Sequence, residues 1–164
     1  MVIIPLMLNE IMILSAKYLY LLIVFTGVVY IGLRLKNKKK DIVWFAVFSM
    51  PLTLIIAKIS GHFFYDPRPF VVHHFLPLVK HAADNGFPSD HALLSFAIAS
   101  LVFVFNKKLG AAIFLIGALV GYSRVYVGIH SPLDIIGSFV ISVAVALSVY
   151  CWFRVKPPFG LHSL

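Results

Sequence analysis

Three short stretches hold the residues of this chain that could do chemistry. Lys58 is followed, after nine residues, by Arg68-Pro69; Pro88-Ser89-Asp90-His91 comes next; Ser123-Arg124 is then followed by five residues, His130, three residues and Asp134. Lys58, Arg68 and Arg124 supply three positive charges, and the guanidinium forks suit phosphate oxygens in a bidentate way. Ser89 stands where a helix should begin. Its hydroxyl and the first unpaired backbone amides would face an anion, with the helix dipole behind them. His91 and His130 carry side chains that exchange protons near neutral pH. A carboxylate at Asp134 could hold one nitrogen of His130 and leave the other as a nucleophile. Charge clamps, a nucleophile and an acid are what phosphoryl transfer needs when it proceeds without a metal.

Each stretch also has a plainer reading. Ser131-Pro132-Leu133-Asp134 is a good helix start in its own right, with Ser as N-cap, Pro in the first turn and an acid at the third position. Pro88-Ser89-Asp90 reads the same way. Lys58 could simply run its stem up to the membrane interface. Gly117 and Gly121 form a small-xxx-small pair suited to close helix packing. His73, His74 and His81 fit a solvated loop as well as a headgroup contact. What raises the chemical reading above these is that all three stretches must fall at one end of the same bundle.

The elements that would put them there are membrane helices. The chain has 164 residues, of which 61 % are hydrophobic and 12 % charged, with a mean hydropathy of +0.98. A soluble domain is nearer half apolar and a quarter charged, so too little polar surface exists to coat a water-soluble globule, and disorder is excluded for the same reason. The single cysteine, Cys151, rules out a disulfide framework or a cysteine-based zinc site. With roughly 20 apolar residues needed per span, residues 17–35, 42–65, 109–127 and 132–153 qualify. A fifth span, His91 to Phe105, is short and is expected to extend back to about Phe87. Residues 1–15, interrupted by Pro5, Asn9 and Glu10, are expected to lie in the interface as a separate short helix. The fold class is therefore all-α, a polytopic membrane bundle of about five transmembrane helices plus that interfacial helix, with residues 1–164 forming one membrane-embedded domain.

The net charge of +8 divides unevenly across such a bundle. One set of ends carries Arg34, Lys36, Lys38, Lys39, Lys40, Lys107, Lys108, Arg154 and Lys156; the other carries Lys17, Lys58, Arg68, Lys80 and Arg124. The positive-inside rule assigns the first set to the cytoplasm, which places 66–90 and 124–131 outside. No nucleic-acid partner is needed to explain the charge. His73, His74, His81, His91 and His130 all fall on the outer side, as do Asp66, Asp84, Asp90 and Asp134. Ionisable groups near membrane depth are costly and mark function by default. They gather at one end instead of lining the midplane, where transport sites lie.

In these three stretches the chain resembles the phosphatidic acid phosphatase type 2 superfamily of membrane lipid phosphatases, whose pattern is Lys-x6-Arg-Pro, Pro-Ser-Gly-His and Ser-Arg-x5-His-x3-Asp. Ser123, Arg124, His130 and Asp134 match the third motif completely. The second is matched except for Asp90 in place of Gly. In the first, nine residues instead of six separate Lys58 from Arg68, and Gly61 occupies the usual lysine slot. The Pro-Ser-Asp-His form, with Arg68-Pro69-Phe70 and Phe87 before the proline, looks most like the undecaprenyl diphosphate phosphatases associated with bacitracin resistance. The resemblance implies a reduced six-helix core and a phosphohistidine mechanism. His130 would be the nucleophile, Asp134 its orienting partner and His91 the acid, then base. Arg68, Arg124, Ser89 and Lys58 would hold phosphoryl oxygens, with no cofactor or metal. It further implies a polyprenyl diphosphate or other lipid phosphate as substrate, with phosphatidylglycerol phosphate, phosphatidic acid and lipid A as alternatives, and a plasma-membrane location with an extracytoplasmic site. A non-catalytic protein that binds or transports lipid phosphates is the competing class.

Overall fold

The computed structural model describes residues 3–36 and 40–155. All of its regular structure is helical: α1 (Ile3–Leu14), a π-helical turn (Ser15–Leu19), α2 (Tyr20–Lys36), α3 (Asp41–Phe63), the single turn α4 (Pro69–Val72), α5 (Asp90–Phe105), α6 (Lys107–Tyr126) and α7 (Pro132–Val155). Four helical stretches are long and apolar enough to cross a membrane: Leu6–Lys36, Asp41–Phe63, Lys107–Tyr126 and Pro132–Val155. With α5 as a shorter fifth apolar helix, the all-α polytopic bundle expected from the sequence is what forms.

The N-terminal segment departs from expectation. Among the described residues no separate N-terminal helix forms, because α1, the π turn and α2 run on as one helix. Pro5 falls in the first turn of α1, where a missing N–H costs no intrahelical bond. Asn9, read as a breaker, instead accepts a hydrogen bond from the Tyr126 hydroxyl at 2.9 Å. The expected extension of α5 back to Phe87 does not occur either. Ser89 is extended, at φ −74° and ψ 115°, and the preceding Phe87-Pro88 peptide is cis.

At 16 residues, or about 24 Å, α5 is short of the roughly 30 Å apolar thickness. It is also the most enclosed helix. Ala92, Leu93 and Ser95 to Val102 are buried, so α2, α3, α6 and α7 shield it from lipid. Small residues permit the close approach, as is usual where lipid tails offer no hydrophobic drive between helices. A Cβ on Gly117 would meet Phe96 of α5 at 3.3 Å, and one on Gly121 would strike Ile135 of α7 at 2.4 Å, which is the packing role expected of that pair. Two serines of α7 then tie it to α5: Ser138 Oγ donates to Ser89 O at 3.1 Å and Ser142 Oγ to Leu93 O at 3.1 Å. Such bonds are worth about 0.6–2 kcal/mol each in a membrane.

Charge sorts to the two ends. At one, Arg34 bonds Asp41 at 3.0 Å and lies over the Phe105 ring at 5.1 Å, joining the ends of α2, α3 and α5. Lys107 and Arg154 lie over Phe103 and Tyr150 nearby in sequence. Lys38, Lys39 and Lys156 of the expected cytoplasmic set lie outside the described residues. The opposite end holds the polar loops 64–89 and 127–131.

Candidate active site

The site is built on two helix starts and one turn. Pro132 opens α7, and Ser131 and Asp134 cap it reciprocally: Ser131 N–H donates to Asp134 Oδ2 at 2.8 Å and Asp134 N–H to Ser131 Oγ at 3.3 Å. This is the capping-box arrangement with Asp in the acid's place. The same Oδ2 lies 3.0 Å from His130 Nδ1. The capping and the chemical readings of this segment therefore hold together, since one carboxylate oxygen serves both. His130 itself is delivered by the turn after α6, where Gly128 takes φ +83°, a conformation open to glycine at little cost.

Around the other nitrogen of His130 stand two guanidinium groups. Arg68 Nη1 is 3.2 Å and Arg124 Nη2 3.3 Å from Nε2. Both arginines and His130 are buried, as is Asp134. With donors on that side, Nε2 keeps its lone pair and the ring proton belongs on Nδ1, toward Asp134. Burial holds the His130 pKa below the usual 6.5, only partly offset by the hydrogen bond to Asp134, so the ring is neutral at pH 7.

Buried charge must be paired or hydrogen-bonded, and each arginine is held. Arg68 donates through Nε to Asp84 Oδ1 at 2.8 Å, through Nη1 to Ile129 O at 2.8 Å and through Nη2 to Asn85 O at 3.3 Å. The Arg68 bond draws the Asp84 carboxyl below its ordinary value. Arg124 reaches Ala16 O, in the π turn, at 3.3 Å. Ser123 is turned back onto its own helix, its hydroxyl donating to Val120 O at 2.7 Å.

Ser89 precedes α5 as its N-cap yet makes no capping bond with its side chain. Its buried hydroxyl has no partner among the described residues, and neither do Arg124 Nε and Asp134 Oδ1. Unpaired buried donors are costly unless a ligand meets them. His91, the second residue of α5, is half-buried and meets the Tyr20 ring edge-on at 4.3 Å. Asp90 is exposed in the first turn, where a negative charge complements the helix dipole.

Of the seven residues expected in the site, Lys58 is the one the structure does not bring to it. Its side chain is exposed on α3 and makes no hydrogen bond or ion pair among the described residues. Three extra residues carry it about 4.5 Å down the helix and about 300° around it. The slot above it cannot take a lysine without movement: a Cβ on Gly61 would come within 2.8 Å of Phe87 O.

Sequence reasoning missed the residues that join these parts. Asn85 clamps the end of α3 to the start of α5 with all its side-chain capacity. Its Oδ1 accepts from Asp66 N–H and Phe87 N–H, each at 3.0 Å, while Nδ2 donates to Gly61 O at 2.8 Å and Phe64 O at 3.0 Å. Beside it, Gly86 lets the loop pass so close that a Cβ would meet Asp134 Oδ2 at 2.8 Å. The Asn85-Gly86 pair before Phe-Pro-Ser-Asp-His was the available signal. Asp66 accepts from Ser131 Oγ at 2.5 Å. No group of three or more His, Cys, Asp or Glu converges as metal ligands would among the described residues.

The model of the PAP2 superfamily matches residues 42–157, from α3 through α7. The chain belongs to the PAP2 superfamily. Undecaprenyl-diphosphatase BcrC of Bacillus subtilis strain 168 is 36 % identical over 106 residues, 65 % of this chain and 55 % of that protein. The match thus spans little more than half of that relative's length. The bacitracin transport permease protein BcrC of Bacillus licheniformis is 35 % identical over 162 residues, 96 % of this chain and 77 % of that one. Among solved structures, the transmembrane PAP2-type phosphatidylglycerolphosphate phosphatase of Bacillus subtilis superposes with a TM-score of 0.63 at 26 % identity, covering 93 % of this chain and 79 % of that one. This PAP2 chain is a multi-pass membrane protein whose superfamily motifs meet at one end of the bundle.

Proposed function

We propose that the chain acts as one membrane-embedded phosphatase domain, hydrolysing a polyprenyl diphosphate such as undecaprenyl diphosphate to the monophosphate and phosphate at the extracytoplasmic face. One observation carries the reading: His130 Nε2 is flanked by Arg68 and Arg124 while Nδ1 rests on Asp134. In the first half-reaction Nε2 attacks the terminal phosphorus. The N–P bond forms, the bond to the bridging oxygen breaks, and His91 gives that oxygen its proton. Asp134 stabilises the ring as it becomes cationic. In the second, His91 takes a proton from water, the resulting hydroxide attacks phosphorus, and the N–P bond breaks to release phosphate. Arg68, Arg124 and Ser89 hold the oxygens where charge builds, the largest contribution in this class of reaction.

The polyprenyl choice is supported by the name of one relative, the undecaprenyl-diphosphatase of Bacillus subtilis, and by an apolar cleft between α6 and α7, floored by α5. Its upper part, about 490 Å³, is lined by Gly121, Val125 and Pro132, neighbours of Arg124 and Ser131. A second part, about 670 Å³ and sharing Phe96 and Phe139, continues down to Lys107 and Tyr150. Such a cleft suits a long hydrocarbon tail leading away from the site. The fold likeness to a phosphatidylglycerolphosphate phosphatase favours that lipid as the second reading.

The test is phosphate release from undecaprenyl diphosphate in detergent with EDTA present, wild type against His130→Ala. Release that disappears in the variant is expected. Faster release from phosphatidylglycerol phosphate would move the substrate to the second reading. No release from any lipid phosphate by folded protein would leave a lipid-phosphate binding or transport protein.

A further inference from the structure

The loop between α4 and α5 sets a third histidine against the site. Leu78 N–H donates to Val127 O at 3.0 Å, and Val79 packs on the cluster of Ala16, Val127 and Ile129. These anchors fasten the loop to the very turn that delivers His130. Two residues beyond Val79, the ring of His81 lies with its centroid 6.2 Å from that of His130, the planes at 69°. Its Nδ1 is 4.0 Å from Asp84 Oδ1, the oxygen that receives Arg68 Nε. His73 and His74, from the same loop, are exposed.

His81 has little to do within the protein itself. Its one hydrogen bond is a long contact from Nδ1 to Ala82 O at 3.4 Å, and Nε2 has no partner among the described residues. It stands too far from His130 to bond it, and its side chain is 26 % exposed, which puts it at the rim of the site. The terminal phosphoryl group already has Arg68, Arg124 and Ser89. A monophosphate ester asks for nothing more. A diphosphate brings a second anionic group that needs a donor at the rim, outside that clamp.

We propose that His81 is a specificity-determining residue, its ring in the protonated form donating Nε2–H to the second phosphate of a diphosphate substrate, the one that stays on the lipid, while Nδ1–H faces Ala82 O and Asp84. This rests on the diphosphate reading above and deepens it. The probes are farnesyl diphosphate and farnesyl monophosphate, which differ only in that group, assayed in detergent with wild type, His81→Ala and His81→Gln. A lost hydrogen bond to a charged group corresponds to roughly a tenfold to hundredfold change. His81→Ala is expected to lower kcat/KM for the diphosphate by about that factor while staying within about threefold on the monophosphate, whose turnover also reports correct folding. His81→Gln, which keeps a donor, is expected to recover part of the diphosphate preference. Equal losses on both probes would make His81 structural and overturn the proposal, as would no loss on either. Wild type that turns over the monophosphate but not the diphosphate would remove the diphosphate reading and this inference with it. Wild type inert on both, and on undecaprenyl diphosphate, would fail the phosphatase reading instead.

Discussion

The two helix starts at the site are written almost alike and finished differently. Both pair a serine with a proline and an acid: Pro88-Ser89-Asp90 before α5, Ser131-Pro132-Leu133-Asp134 before α7. At α7 the serine and the acid satisfy each other, and the carboxylate oxygen that accepts from Ser131 N–H also holds His130. At α5 the serine hydroxyl is buried and caps nothing, and the acid is exposed. The α7 start is a support that fixes the His130 ring. The α5 start leaves a donor free for something that arrives from outside. A helix-start signal therefore states where a helix begins, and the state of its hydrogen bonds tells whether that start is structural or awaits a ligand.

Substitutions should separate the two starts, and the largest effect belongs to the residue the α7 start supports. His130→Ala is expected to reduce phosphate release by at least about a thousandfold, since no other group takes the phosphoryl; release within tenfold of wild type would remove it as nucleophile. Next comes Gly86→Ala, whose methyl would meet Asp134 Oδ2 at 2.8 Å. Displacing the carboxylate that orients His130 should cost about 10- to 100-fold, the scale seen for orienting partners, and a neutral outcome would show that Asp134 can shift without consequence.

The direct contrast is Ser89→Ala against Ser131→Ala. Loss of the Ser89 hydroxyl should lower kcat about 10- to 100-fold, as for one lost hydrogen bond to a charged group, with thermal stability unchanged or slightly raised because an unpaired buried hydroxyl is gone. Loss of the Ser131 hydroxyl should cost about 1 kcal/mol of stability as a lost cap. Melting curves beside turnover would expose a reversal of this pattern.

A smaller effect follows from His130's burial. Its folded pKa lies below 6.5, so between that lowered value and about 6.5 the unfolded chain binds a proton the folded site refuses. Stability is then full above about pH 6.5 and declines as pH falls through that window. His81, also lowered, chiefly by burial, shares in it. Thermal melting in detergent from about pH 8 to about pH 5 should show the decline, and His130→Gln should flatten part of it. The smallest effect is expected at Lys58. Its exposed side chain has no partner among the described residues, and Lys58→Ala should leave turnover within about twofold. A large loss would return it to the phosphate clamp.

Composition and motif spacing made the bundle, the boundaries of α3, α6 and α7 to within a few residues, and the meeting of Arg68, Ser89, His91, Arg124, His130 and Asp134 legible before any coordinates. Those features are local. Apolar length specifies a span, and the four-residue step from His130 to Asp134 brings the two together across a helix start. The signals that misled were also local ones. Asn9 looked like a helix breaker because its partner, Tyr126, lies 117 residues away. Lys58 was read as a clamp on its charge, although its three extra residues before Arg68 already turn it about 300° around the helix.

What the sequence by itself determined is a membrane helix bundle with a phosphate-type set of residues at one end. Only the tertiary structure decided how that set is held: Asn85 bridging α3 to α5, Gly86 passing under Asp134, the carbonyl of Ala16 bound to Arg124, and His81 turned toward His130. None of these has a period or a charge pattern to announce it. Each depends on segments far apart in the chain coming within hydrogen-bond or van der Waals distance, and that proximity exists only once the helices have packed.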